Sequence, residues 1–539
     1  MTSRIERHEG FVEHRDGDGD DLTGRETPDR VDTPDTSGHA PTSSRLLLRI
    51  AALLLIGAAA MPWWMTMLSD YAGYLGFYDY SFYFDAGFAL RLNRHANVYD
   101  PNVLATVAAQ HGLFLGTGVF QYPLLLPILF IPISRFSMGR TAQGFIILNC
   151  LLWLVGTGLM IGLLRHGLFG ADRRLPRLGL RGSRPRQWAG RVWSWWQRLS
   201  DADVFAIALV TFVSLTDDPL IESVRLGQAS ILIFFAICLT LWLMRRERAI
   251  LVGVVIAVAI MIKALPLVLL GYFLLRGRWR LVIAAVLACA AQLGAMALVV
   301  GPQGLLAMRA IAGNGLGDSL RYQNEALARV PFWVGIAITK QPSTLLLNSG
   351  YALIAIVALA FIGGVLRVTV LRWRARTKAD RRLGATFELV GFAWAVSTMV
   401  LVSPISWVHH SAWLVPPFAL CLGCALRPLA SGIHREDGRL KLEVYLVLAL
   451  VVGILLTMFQ LPFGYDRLST PELEVLFLHH PIRPLYMVLR PTGALLLWLV
   501  SGVQFWRLGA PAALAAGTEA QAPIPVPAVA HITVPSPQA

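Results

Sequence analysis

Long apolar runs constrain this chain more than any other feature. They fall at about 46–68, 141–164, 203–216, 229–244, 249–275, 281–300, 345–371, 385–402, 409–426, 441–461 and 485–507, each of spanning or near-spanning length. A hydrocarbon layer about 30 Å thick needs roughly 20 apolar residues in a helix, and backbone groups inside it must be bonded within their own segment. The pattern therefore predicts an all-α, polytopic transmembrane bundle. With 55% hydrophobic and 15% charged residues and a mean hydropathy of +0.58, the chain carries too much apolar surface for a soluble protein of 539 residues.

The formal net charge of +14 would suggest nucleic acid in a soluble domain. Here the arginines gather in short loops between apolar runs, so membrane topology and anionic lipid account for them, and no nucleic-acid partner is expected. Arginine-dense loops lie at 165–198, 245–248, 276–280, 367–382 and 427–441, and the positive-inside rule assigns them to the cytoplasm. The remaining loops, 69–121, 217–228, 301–344, 403–408 and 462–484, fall on the opposite, exoplasmic side. This charge count asks the stretches 122–164 and 249–275 each to enter and leave on one side. Lys263 and Pro266 break the second, and Pro123, Pro127 and Pro132 interrupt the start of the first.

Residues 1–44 are polar and rich in Asp, Arg, Gly and Thr, and read as a disordered cytoplasmic tail. The run at 46–68 reads as a retained first span rather than a signal peptide, which places a membrane domain at 45–508. Residues 509–539, rich in Ala, Pro and Val, read as a second disordered tail. All five cysteines, Cys150, Cys238, Cys289, Cys421 and Cys424, lie in apolar segments and read as buried small side chains. Cys421 and Cys424 share a helix face but have no further metal ligands nearby in sequence.

Chemistry collects in the exoplasmic loops. Tyr78-Asp79-Tyr80-Ser81-Phe82-Tyr83-Phe84-Asp85 places two carboxylates among aromatic rings just beyond the first span. If the stretch is helical, Asp79 and Tyr83 share a face and Asp85 turns away from them; if it is extended, Asp85 becomes the alternative reactive acid. Arg225 and Gln228 follow in the 217–228 loop, Asn324 lies in Tyr322-Gln323-Asn324-Glu325, and His409 and His410 open a later run behind Ser403-Pro404-Ile405-Ser406-Trp407. Lys263, inside the apolar run 249–275, must snorkel, pair or bind an anion. Adjacent histidines stand about 100° apart on a helix, which does not suit a metal pair.

These pieces in this order resemble glycosyltransferase family 87. They are Asp-(x)3-Tyr, Val98-Tyr99-Asp100-Pro101, Tyr122-Pro123-Leu124, Gly227-Gln228, Ile262-Lys263-(x)2-Pro266, Arg276-Gly277-Arg278-Trp279-Arg280 and Ser403-Pro404-Ile405-Ser406-Trp407-(x)-His409-His410. The resemblance runs over roughly residues 46–507 and implies the GT-C type of membrane bundle, with exoplasmic loops carrying the site. It further implies transfer of a hexose, mannose in particular, from a polyprenyl phosphate donor to a glycolipid or glycan acceptor. Transfer would occur on the outer face of the cytoplasmic membrane and invert the anomeric centre. By position Asp79 matches the catalytic base, while Tyr83, Asp85, Arg225, Gln228, Lys263, Asn324, His409 and His410 are candidates for substrate binding. No cofactor is expected. The leaving group bears a single phosphate and the matching loops lack an Asp-x-Asp motif, so metal independence is expected as well. A transporter or flippase of lipid-linked sugars is the alternative reading. Such folds often show inverted internal repeats, which are not evident between the halves of this sequence.

Overall fold

The computed structural model describes residues 78–111, 120–164, 201–310, 324–339, 344–374, 381–430, 437–458 and 482–509, with isolated positions at 51 and 56. The first apolar run, the 165–198 loop and both expected tails lie outside the described residues. In chain order the helices are α1 (Tyr78–Leu92), α2 (Pro101–His111), α3 (Leu125–Ile133), α4 (Met138–Leu163), α5 (Asp201–Thr216), α6 (Asp218–Arg225), α7 (Ser230–Arg245) and α8 (Ala249–Ile262). They continue as α9 (Leu267–Leu275), α10 (Trp279–Ala307), α11 (Val330–Thr339), α12 (Thr344–Arg374), α13 (Arg381–Leu401), α14 (Val415–Ala430), α15 (Asp437–Met458) and α16 (Ile482–Gly509). Short 3-10 turns occupy Leu327–Arg329 and Val408–Leu414. No strand occurs among the described residues, and the fold is an all-α membrane bundle.

Among the described residues five helices are long and apolar enough to cross a membrane: Met138–Leu163, Trp279–Ala307, Leu345–Arg372, Lys441–Met458 and Met487–Gly509. Their outward faces carry large apolar side chains such as Leu151, Leu287, Leu298, Leu359 and Leu448, as a surface in lipid requires. Shorter apolar helices, among them α7 and α8, fill the interior; Ile231, Ile233, Phe234 and Leu241 of α7 are fully buried.

The bundle has two ends of different character. The stretch 249–275 behaves as the charge count asks. α8 starts after Arg248 and ends at Ile262, Lys263 adopts an extended backbone (φ −151°, ψ 127°), and α9 returns to end before Arg276. α8 and α10 start side by side from the same arginine end. Gly253 makes that approach possible, since a Cβ there would come within 2.5 Å of the Leu281 carbonyl oxygen and 2.9 Å of the Ala285 nitrogen.

The stretch 122–164 departs from the expectation. α3 is a nine-residue helix with an internal proline lying beside α1, and only α4 is long enough to cross. Asn149 of α4 bonds to the Gln228 carbonyl, whereas Gly156 packs on Phe234 one turn into α7, so α4 runs the same way as α7. Because α7 ends at Arg245, α4 also leads toward the arginine end. The segment 122–164 therefore carries the chain across once. The prolines mark a half-length helix before the crossing, not a hairpin returning to its own side.

Candidate active site

At the end opposite the arginine loops, α1 begins against the turn between α6 and α7. The Leu226 carbonyl accepts the backbone N–H groups of Asp79 and Tyr80, both at 3.2 Å, and so satisfies donors that a helix start leaves open. Gly227 holds that turn in the left-handed region (φ +65°), and a Cβ on it would lie 2.7 Å from the Tyr80 Cβ. Only glycine meets both demands at this point. The next residue, Gln228, is thereby aimed at the first turn of α1.

Gln228 joins the site's acid to two phenols. Its amide Nε2 donates to Asp79 Oδ2, while its Oε1 accepts from Tyr83 Oη at 3.4 Å and from Tyr122 Oη at 3.3 Å. Chemistry requires this orientation, because an ionised carboxylate only accepts and the phenols have donors to give. Tyr83 also accepts from the Ala229 N–H at 3.4 Å and meets the Tyr122 ring edge-on at a centroid distance of 4.8 Å. Asp79 stays half-buried, and burial pushes its carboxyl up to about 6, against the pull of the Gln228 hydrogen bond and the Lys263 charge.

Asp85 has a different setting. Six residues along α1 it is turned about 120° from Asp79, fully buried, and neither carboxyl oxygen has a hydrogen-bond partner among the described residues. Desolvation alone pushes it up to about 8, which keeps it a neutral acid at pH 7.

The break at Lys263 faces the same space. Lys263 Nζ lies 3.3 Å from Ser230 Oγ and 3.3 Å from His409 Nε2, between the Tyr122 and Trp413 rings at 5.7 and 5.3 Å from their centroids. An ammonium only donates, so His409 Nε2 offers a lone pair and its proton sits on Nδ1. His410 shows the opposite tautomer. Its Nδ1 accepts the Trp407 N–H at 3.3 Å, which puts the proton on the buried Nε2. Trp413 stacks on His410 at 4.7 Å and donates its indole N–H to the Ser230 carbonyl at 2.9 Å, locking the turn to the start of α7.

The structure thus brings Asp79, Tyr83, Gln228, Lys263, His409 and His410 to one end of the bundle. Asn324 is placed differently: its Nδ2 donates to the Pro404 carbonyl at 3.0 Å and its Oδ1 accepts the N–H groups of Ser406 and Ala326 at 2.9 and 3.1 Å. It holds the Ser-Pro-Ile-Ser stretch that leads into the histidines. Arg225 closes α6, three residues before Gln228. Tyr122, Ser230 and Trp413 join the site without having been singled out as site residues from sequence. Tyr122 carried a signal as the aromatic before Pro123, and Trp413 as the residue three beyond His410. Ser230 carried none, since a hydroxyl at a helix start most often serves as a cap. No group of three or more His, Cys, Asp or Glu side chains with metal-ligand geometry occurs among the described residues.

The profile of glycosyltransferase family 87 matches residues 120–404. A relative in Mycobacterium tuberculosis is 28% identical over 297 residues, covering 55% of this chain and 57% of the relative. Another, in Mycolicibacterium smegmatis, is 26% identical over 389 residues, covering 72% of this chain and 79% of the relative. Both bear the name polyprenol-phosphate-mannose-dependent alpha-(1-2)-phosphatidylinositol pentamannoside mannosyltransferase. The chain thus spans under two thirds of the length of the first of them. No solved structure matches it. The family match takes in Tyr122, Gln228, Lys263 and Asn324, stops before the histidines and begins after Asp79. Extending over more than half of the sequence, it establishes that this chain belongs to glycosyltransferase family 87.

Proposed function

We propose that the protein transfers mannose from a polyprenyl phosphate carrier to a phosphatidylinositol-based glycolipid at the outer face of the cytoplasmic membrane, inverting the anomeric centre. The relatives' names support the donor and acceptor classes. One observation carries the mechanism: a half-buried carboxylate, Asp79, and a half-buried ammonium, Lys263, approach the same space from different helices without forming an ion pair with each other.

In this reading the acceptor hydroxyl attacks the anomeric carbon while Asp79 takes its proton. The bond from that carbon to the phosphate oxygen breaks, and its electron pair leaves on the polyprenyl phosphate. Lys263 and the Nε2–H of His410 balance the negative charge that grows on the departing phosphate, and His409 holds the lysine in place. Gln228 keeps Asp79 oriented, and through Tyr83 and Tyr122 that orientation is tied to α1 and to the segment before α3. Asp79, not Asp85, is the base, because Asp85 is neutral at working pH and faces away. The half-buried Tyr122 offers a ring against which a sugar can lie, with the fully buried Tyr83 packed behind it. Arg225 remains a proposed contact for the anionic donor, by its position beside the turn.

The test is transfer by the purified protein in nanodiscs, supplied with polyprenyl phosphate mannose and phosphatidylinositol mannosides. The wild type should extend the glycolipid and Asp79→Asn should not. Equal activity in both proteins would remove Asp79 from the chemistry, and no transfer from this donor by the wild type would refute the choice of sugar carrier.

A further inference from the structure

A second feature lies toward the arginine end. A lipid-facing groove of about 720 Å³ opens between α12 and α16, floored by Trp394 of α13 and lined by Gly363, Gly364, Trp498 and Gly502, with Arg367 and Arg507 at its mouth. The glycines leave room that side chains would fill. We propose that this groove holds one anionic glycerophospholipid, with its acyl chains along the tryptophans and its phosphate on Arg367.

Three observations specify that occupant. Trp394 and Trp498 give the groove an apolar aromatic floor and side that suit acyl chains. Arg367 is exposed, stacks 4.5 Å above the Trp506 ring and makes no ion pair with any described residue. Arg507 bonds to Glu443 at 2.7 Å but keeps 37% of its side chain exposed, so the mouth stays net positive. The spacing agrees with the chemistry. Trp394 packs against Gly364 and Gly502, three residues before Arg367 and five before Arg507, so the indole lies about 5–8 Å inward of the guanidinium groups. The acyl chains of a glycerophospholipid begin at a similar depth below its phosphate. A zwitterionic lipid offers the same phosphate but brings its own ammonium into a mouth that is already net positive, which favours a lipid of net negative charge.

The experiment is native mass spectrometry of the full chain released from nanodiscs of equal phosphatidylglycerol and phosphatidylcholine. Wild type should retain one phosphatidylglycerol at least about fivefold over phosphatidylcholine. Arg367→Gln should erase that preference. Gly363→Leu, whose new side chain meets open space and fills the groove, should lower retention of both lipids. Absence of a preference in the wild type, or unchanged retention in both variants, would overturn the proposal. So would a wild-type dimer that Gly363→Leu separates, since the groove would then belong to a second copy. Arg367 is exposed at the groove mouth, so its substitution still decides the question if Gly363→Leu does not fold.

Discussion

Two half-buried acids of this bundle are handled in opposite ways. Glu388, toward the arginine end, is gripped by Arg276 and by Arg278 at 2.9 Å, and the Tyr272 hydroxyl also reaches it at 3.4 Å. Arg276 is anchored in turn by Thr369 of α12 at 2.7 Å. Both arginines pair with that acid, so its charge is balanced within the protein and the cluster ties α9, α12 and α13 together. Asp79, at the other end, has a neutral amide as its hydrogen-bond partner, and the nearest lysine is held by a hydroxyl and an imidazole. Charge left without an ion pair in a low-dielectric setting is costly, and it is retained where a substrate completes it. The difference separates a structural charge cluster from the one proposed to react.

The comparison is broken most directly at its reactive side. Asp79→Asn keeps the size and the acceptor oxygen but cannot take a proton, so kcat/KM should fall by about 10³-fold or more. The thermal midpoint should stay within a few degrees of wild type, which a scanning fluorescence measurement checks. Lys263→Gln should lower kcat by about 10²-fold through the lost phosphate counter-charge, with Lys263→Arg recovering part of it. A lysine mutant that altered only stability would place that residue with the structural cluster instead.

Smaller effects sharpen the contrast. Activity should rise with pH through about 6 as Asp79 loses its proton, because a raised carboxyl is ionised only above its own midpoint. Gln228→Glu puts a second carboxyl beside it, which should move that limb upward by about one pH unit and so reduce activity at pH 7 about twofold. Glu388→Gln should leave kcat per folded molecule unchanged yet destabilise the protein by about 3 kcal/mol, since the largely buried Arg276 loses its partner. Least affected should be Asp85→Asn, within about threefold of wild type, since an amide replaces an acid that is already neutral. Treatment with EDTA should also change nothing, because departure of a single phosphate with lysine and histidine support needs no divalent ion.

The all-α membrane class, the break at Lys263 and the shared face of Asp79 and Tyr83 were legible in the sequence. They rest on composition, on a charged residue and a proline inside an apolar run, and on helical periodicity, all of which act over a few residues. The one-sided path expected of 122–164 misread the sequence's own charge pattern, since loops 69–121 and 165–198 fall on opposite sides and require a single crossing. Proline content shows where a helix is short, and packing against α7 shows which way the next helix runs.

Side-chain roles divided in the same way. Types and spacings marked Gln228, Lys263, His409 and His410 as unusual in their surroundings, because a polar group near lipid stands out without any knowledge of its partners. Tertiary structure alone gave Gln228 its orientation, set opposite tautomers on the two histidines, turned the Asn324 amide toward the 404–406 backbone and added Ser230 and Trp413 to the site. Those outcomes join positions as much as 183 residues apart. A hydrogen bond is decided by atoms within about 3 Å, and the linear order of residues does not specify which distant atoms come that close.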